Sequence, residues 1–190
     1  MRVVGGRFRG KPLEAPRGRD TRPTTDRMRE SIASMILSAQ GLDLSECDVL
    51  DAFAGSGAMG IELVSRGARR CVFCERDRRA ANVVRANCAS VGLSRESFRV
   101  ICADSLRLPS SSVLDGERFS VVFCDPPYAM DVGVVSQLVC DLRVRGLLTS
   151  DCLVVYERAA DNPQIVIPSM RALRSKTHGT TSIDLLRLEA

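Results

Sequence analysis

The sequence predicts an α/β fold in which a mostly parallel sheet carries helices on both faces. Three observations point to it. Short apolar runs alternate with stretches of helical periodicity. Glycines and capping residues stand where these elements should end or begin. A glycine-rich turn, Gly55-Ser56-Gly57-Ala58-Met59-Gly60, follows the first apolar run. Such a turn suits the passage from a strand into a helix.

The segment Arg2 to Leu13 reads as a short hairpin with a basic tip, where Arg7, Arg9 and Lys11 surround Phe8. Residues 1–22 are expected to form this extension, and residues 23–190 the main domain. Thr24 or Thr25 can cap a helix, and Asp26 suits its first turn. Met28, Ile32, Met35, Ile36 and Ala39 recur at helical spacing, and Gly41 is expected to end that helix. Val49 to Phe53 reads as a strand, and a helix follows through Ile61, Leu63 and Val64. Cys71 to Glu75 is a second strand. Asp77 caps a helix carrying Val83, Val84, Asn87 and Val91, which Gly92 ends. Phe98 to Cys102 and Phe119 to Cys124 are further strands. A helix from about Asp131 to Val144, ending at Gly146, leads to a strand at Cys152 to Tyr156. Ile165 to Ile167 and Ile183 to Leu188 are candidate final strands.

The chain has 190 residues, 45% of them hydrophobic, enough for one domain with a full core. It has no apolar stretch long enough to span a bilayer, and its first residues lack the apolar core of a signal peptide. A cytoplasmic monomer is the expectation. Eight cysteines then read as small buried apolar residues kept reduced. Cys71 and Cys74 lie three apart on a strand, so they point to opposite faces and make a poor metal pair. His178 is the single histidine, which leaves little support for a catalytic triad or a histidine metal site. No metal is expected. The net charge is +4, but residues 1–29 alone carry +6, with nine basic and three acidic side chains. A basic excess confined to one end points to a polyanionic partner.

In sheets of this kind, ligands sit beyond the carboxyl ends of the strands. Gly55, Gly57 and Gly60 fit a dinucleotide-type fingerprint, which is weak alone. A nicotinamide dinucleotide would set its pyrophosphate on the following helix. S-adenosyl-L-methionine carries no phosphate but has a sulfonium and an ammonium. Asp51, at the end of the first strand, suits the cationic ligand and is awkward for pyrophosphate. Glu75 can accept from ribose hydroxyls, and Asp104 from an adenine amino group. Phe53, Ser56, Arg76 and Ser105 flank these positions and are expected to complete the cofactor site.

The fourth strand ends in Phe123-Cys124-Asp125-Pro126-Pro127-Tyr128. The prolines fix the backbone, so Asp125 and the neighbouring carbonyls become aimed acceptors. They suit the hydrogens of an exocyclic amine on a base, and Tyr128 can stack on that base. A planar aromatic amine shares its lone pair with the ring. Acceptors on its hydrogens free that pair for attack on a methyl group held in line.

These motifs together resemble the RsmD family of bacterial rRNA methyltransferases. The resemblance covers nearly the whole chain, from RVVGGRFRGKPLEAP through TRPTTDRMRESI, VLDAFAGSGAMGIELVSRGA, CERDRRA and FCDPPY to VVYER. TRPTTDRMRE is its most specific stretch. The resemblance implies a class I methyltransferase fold with a small N-terminal β-hairpin extension and S-adenosyl-L-methionine as cofactor. The implied substrate is the N2 amine of a guanine in 16S rRNA, guanine 966 in rRNA numbering, in naked rRNA or an assembled small subunit. By the same resemblance Asp51, Gly55, Gly57, Glu75 and Asp104 fall where the cofactor binds, and Asp125, Pro126, Pro127 and Tyr128 where the target base binds. Arg22 and Arg27 are expected to help hold RNA, together with Arg7, Arg9 and Lys11. The chain departs from the family at Lys176-Thr177-His178-Gly179-Thr180-Thr181, where His178 replaces an aromatic residue. Two alternatives are a DNA adenine-N6 methyltransferase, against which the short chain argues, and a nucleic-acid-binding protein without catalysis, against which Asp51 and Asp125 argue; an NAD-dependent dehydrogenase is disfavoured by Asp51 and by the lack of an evident proton-relay residue.

Overall fold

A computed structural model describes residues 1–16 and 25–189. Arg22, Thr24 and the expected boundary at residue 22 lie outside the described residues. Four helices are described: α1 (Asp26–Ala39), α2 (Ala58–Ser65), α3 (Arg78–Val91) and α4 (Val132–Val144). The first four strands are β1 (Asp48–Asp51), β2 (Arg70–Cys74), β3 (Phe98–Ile101) and β4 (Phe119–Cys124). Three more follow: β5 (Leu148–Ala159), β6 (Met170–His178) and β7 (Thr181–Leu188). They form one sheet in the order β3-β2-β1-β4-β5-β7-β6. β1 to β5 run parallel, and β7 inserts antiparallel between β5 and β6. The sheet is therefore mostly parallel, as expected, with an antiparallel pair at one end.

Two core clusters sit on its two faces. One packs α1, α2, α3 and the N-terminal segment against Val49, Phe73, Val121, Phe123, Val155 and Ile183. The other packs α4, Ile165 and Ile167 against Leu50, Val72, Val122, Val154 and Leu186. Alternate strand residues feed alternate faces. Cys71 and Cys74 accordingly fall in different clusters.

Three of the four described helices start at a side chain that caps them, while α2 starts from Gly57 without one. Thr25 Oγ1 accepts from the Met28 amide and starts α1. Asp77 and Asp131 accept from Ala80 and Gly133 and start α3 and α4. Gly92, at positive φ, closes α3. Gly60 serves a different need. A Cβ there would lie 2.3 Å from the Phe73 ring and 2.5 Å from Cys71 Sγ, so glycine lets α2 lie directly on β2.

The C-terminal third corrects the sequence reading. Ile165 to Ile167 is not a strand. Ile165 and Ile167 are buried and Val166 is exposed, but Pro163 and Pro168 bracket the run and cannot donate to a ladder. The strand lies instead at β6, which shows no apolar alternation. β5 extends well beyond Cys152 to Tyr156 at both ends.

The expected N-terminal hairpin is a loop with one antiparallel bridge, Arg2 to Pro12. The Val3 amide donates to the Lys11 carbonyl, and the Gly10 amide to the Val3 carbonyl. Glu62, fully buried on α2, accepts from the Val4 and Gly5 amides and from Arg66 Nε. Those three donors satisfy a carboxylate that burial would otherwise penalise heavily. The loop tip rests against the end of α2, where the Phe8 amide donates to Ser65 Oγ. α2 leaves the glycine turn and runs about 12 Å at 1.5 Å per residue. The tip thus lies a helix length from that turn.

Candidate active site

The carboxyl ends of β1, β2, β4 and β5 bring four acids to one edge of the sheet. Asp51 closes β1, Glu75 follows β2, Asp125 follows β4, and Glu157 lies near the end of β5. Cys124 pairs with Tyr156, so Asp125 and Glu157 are neighbours across adjacent strands. Two residues before these acids stand Val49, Phe73, Phe123 and Val155, all in the cluster under α1, α2 and α3. The strand period of two therefore turns all four acids to that face.

Asp51 is 1% exposed. Its Oδ2 accepts from the Gly60 amide at 3.2 Å, while Oδ1 is buried with no hydrogen-bond partner. Burial pushes its carboxyl up to about 7; the Gly60 amide opposes the rise and the charge on Glu75 adds to it. Asp125 is held well above the ordinary carboxylate range, by burial first, then by Glu157 and Asp51. Such a cluster resists full ionisation unless positive charge enters it. An unpartnered buried oxygen with crowded acids around it fits a cationic ligand. A pyrophosphate would add to the repulsion.

The glycine turn lies directly above. Gly55 and Gly57 adopt positive φ, of 54° and 76°. Glu75 Oε2 accepts from the Gly55 amide at 2.9 Å and Oε1 from the Asp77 amide at 2.8 Å, so this acid also braces the turn. Each oxygen keeps a lone pair for a further donor. Asn87 Nδ2 donates to the Ser56 and Glu14 carbonyls, and its Oδ1 accepts from the Glu14 amide. The N-terminal segment is thereby tied to the turn. Phe53 is half-buried against the α4-side cluster. Asp104 is exposed and accepts from the Leu106 amide. Ser105 is buried and donates to the Ala52 carbonyl. Arg76 is exposed at the rim.

Across the edge, Pro126 is buried, Pro127 is exposed and Tyr128 is 44% exposed. Tyr128 Oη lies 3.1 Å from Thr181 Oγ1, and the Tyr128 carbonyl accepts from Asn162 Nδ2 at 3.4 Å. The ring is thus anchored at its hydroxyl and open beside Asp125. Glu157 was not among the sequence candidates. Its signal is an acid closing the apolar run Leu153 to Tyr156, the same pattern that marks Asp51 and Asp125.

The basic residues fall in two places. Arg7 and Lys11 lie over the Phe8 ring, at 4.7 and 5.4 Å from its centroid. Lys11 Nζ also donates to the Val91 carbonyl at the end of α3. Arg9 is exposed on the same tip. Arg27 is apart from them, exposed on the first turn of α1.

Comparison with known proteins bears on the fold and the family. The chain is 32% identical to ribosomal RNA small subunit methyltransferase D of Haemophilus influenzae, over 97% of this chain and 92% of the other. It is 30% identical to the protein of that name from Escherichia coli K12, over 100% and 91%. A solved hypothetical protein of Thermus thermophilus, TTHA0928, superposes with a TM-score of 0.78 at 29% identity, over 100% of this chain and 99% of that one. TrmN from Thermus thermophilus shares the fold, with a TM-score of 0.63 at 20% identity over 84% of this chain and 48% of that one. The fold is the class I methyltransferase fold. The family profile described as conserved hypothetical protein 95 matches residues 1–187, and the chain belongs to that family, the RsmD family.

Proposed function

We propose that this chain transfers a methyl group from S-adenosyl-L-methionine to the exocyclic N2 amine of a guanine in small-subunit rRNA, guanine 966 in rRNA numbering, in the cytoplasm and as a monomer. Residues 23–190 form the catalytic domain and residues 1–22 its extension. The observation that carries the reading is the juxtaposition, on one sheet edge, of the unpartnered Asp51 oxygen and the Asp125-Pro126-Pro127-Tyr128 turn. The names of the Haemophilus and Escherichia relatives support RNA as the substrate.

When bound, S-adenosyl-L-methionine supplies an electrophilic methyl on a sulfonium. Asp51 would hold its ammonium, the glycines of the Gly55 to Gly60 turn would let it lie close against the main chain, and Glu75 would accept from its ribose hydroxyls. Asp104 would accept from its adenine amino group. Phe53, Ser56, Arg76 and Ser105 line the same cofactor site. Asp125 and the carbonyls of its turn accept from the target amine, and Tyr128 stacks on the base, an interaction worth roughly 1–3 kcal/mol. Beside a bound cation Asp125 would be ionised and able to take the amine proton. Glu157 sits behind Asp125 and its charge disfavours ionisation there. That keeps the carboxylate basic once it forms.

Labelled methyl transfer tests the reading. Naked 16S rRNA, small subunits and DNA are offered from cells lacking the enzyme, and the modified nucleoside is identified. N2-methylguanosine in an RNA sample is expected. N6-methyladenine in DNA would overturn the substrate assignment, and no transfer to any of them would overturn the enzyme.

A further inference from the structure

β6 is the outermost strand of the sheet, yet it presents a row of basic side chains to the helix side. Arg174 pairs with Leu185, Lys176 with Ile183 and His178 with Thr181. Ile183 and Leu185 belong to the cluster under α1, so by strand alternation Arg174, Lys176 and His178 share that face. A register shift between Ala172 and Arg174 sets this phase. A strand face turned toward a helix is ordinarily apolar. Here it forms one wall of a groove of about 380 Å³, whose other wall is α1, with Arg27, Glu30 and Ser31.

The cations in this groove are available. Several other arginines are tied up: Arg66 with Glu62, Arg69 with Asp48, Arg70 and Arg99 with Glu117, Arg158 with Asp184. Among the described residues, Arg27, Arg174 and Lys176 make no ion pair, although Glu30 lines the same groove. Lys176 Nζ contacts only a hydroxyl, Ser31 Oγ at 3.1 Å, and His178 Nε2 lies 3.4 Å from the same oxygen.

The groove also begins at the site. β6 runs toward the active edge and ends at His178, and Thr181 across the turn holds Tyr128 Oη. Alternate strand residues lie about 7 Å apart, a separation close to that of successive phosphates in a nucleic-acid strand. Arg7, Arg9 and Lys11 sit at the far end of α2, so they do not supply charge beside Tyr128.

We propose that the groove between α1 and β6, through Arg27, Arg174, Lys176 and His178, holds the phosphate backbone of the RNA strand next to the target base. This rests on the reading of the chain as an RNA methyltransferase. Charges on an edge strand also guard against edge-to-edge aggregation. That role asks for charge at the open edge; it does not account for a matching arginine on α1 or a groove leading to Tyr128.

The test compares 16S rRNA binding and methyl transfer by wild type, Arg174→Gln/Lys176→Gln, and the charge-keeping Arg174→Lys/Lys176→Arg. Arg95→Gln/Arg143→Gln, on exposed sites elsewhere, controls for net charge. The Gln pair should weaken RNA binding about tenfold or more. Its plot of log affinity against log salt should lose roughly 1.4 in slope, at about 0.7 per phosphate on a single strand. Cofactor affinity should not change, and the charge-keeping pair should behave as wild type. An unchanged slope in the Gln pair, or an equal loss in the control, overturns the groove while leaving the enzyme intact. A wild-type protein that neither binds nor methylates RNA overturns both readings.

Discussion

Asp51 ties stability and ligand binding to pH in opposite directions. Its carboxyl is raised to about 7 in the folded chain, by burial above all, against 3.8 when exposed. Between those values the folded state holds a proton that the unfolded state releases. The stability this contributes is full below about pH 4 and is lost as pH rises through 7, roughly 4 kcal/mol in all. Asp125 is shifted the same way. The ligand-free protein should therefore melt at a lower temperature at pH 8 than at pH 5, and Asp51→Asn should show a smaller drop. An ammonium ligand favours the charged carboxylate, so cofactor affinity should rise with pH up to about 7 and level off. Calorimetry showing affinity independent of pH would remove Asp51 from that role. Glu157 shows where residue-level reading stopped. Asp51 and Asp125 are flagged by the glycines and prolines after them, whereas Glu157 is followed by Arg158 and no turn signal.

Among the elements, the C-terminal hairpin depends on a buried ion pair. Arg158 on β5 and Asp184 on β7 are 5% and 6% exposed, with Nε to Oδ2 at 2.8 Å. Asp184 also accepts from Ser175 Oγ and the Ile165 amide, and Arg158 Nη1 donates to the Asn162 carbonyl at 2.5 Å. The pair thus joins β5, β6, β7 and the loop whose Asn162 touches Tyr128. Removing one partner strands the other charge, so Asp184→Ala should cost about 3–5 kcal/mol in denaturant unfolding. Breaking the exposed Arg145–Asp115 pair should cost no more than about 1 kcal/mol. A small effect at Asp184 would mean that packing alone holds the hairpin. This region was also the least legible in the sequence. β1, β2, β4 and the Cys152 to Tyr156 part of β5 announce themselves because both faces are buried and their runs are apolar. β6 pairs on one side only and carries Arg171, Arg174, Lys176 and His178, so no apolar period marks it. The Ile165 to Ile167 run carries the period of a strand, but its burial comes from docking on α4.

Taken whole, the molecule separates its charges by position. Acids gather at the carboxyl ends of the central strands, where burial penalises the ionisation of Asp51 and Asp125. Arg27, Arg174 and Lys176, which make no ion pair among the described residues, line the α1–β6 groove beside them, and a second basic cluster lies on the N-terminal loop at the opposite end of α2. Net charge read from the sequence located the second cluster but not the first, because Arg174 and Lys176 meet Arg27 only through the sheet order. The candidate site was largely legible, since Asp51, Glu75, Asp125 and the glycines each close or follow an apolar strand. The proposed chemistry turns on Asp125 acting on the amine and not on the cofactor. Asp125→Ala measures this directly, with cofactor affinity by calorimetry and single-turnover methyl transfer to small-subunit rRNA on the same preparation. The expected result is cofactor affinity within about threefold of wild type and a transfer rate lower by about 100-fold or more. Transfer at the wild-type rate, or loss of cofactor binding with the rate preserved at saturation, would contradict it.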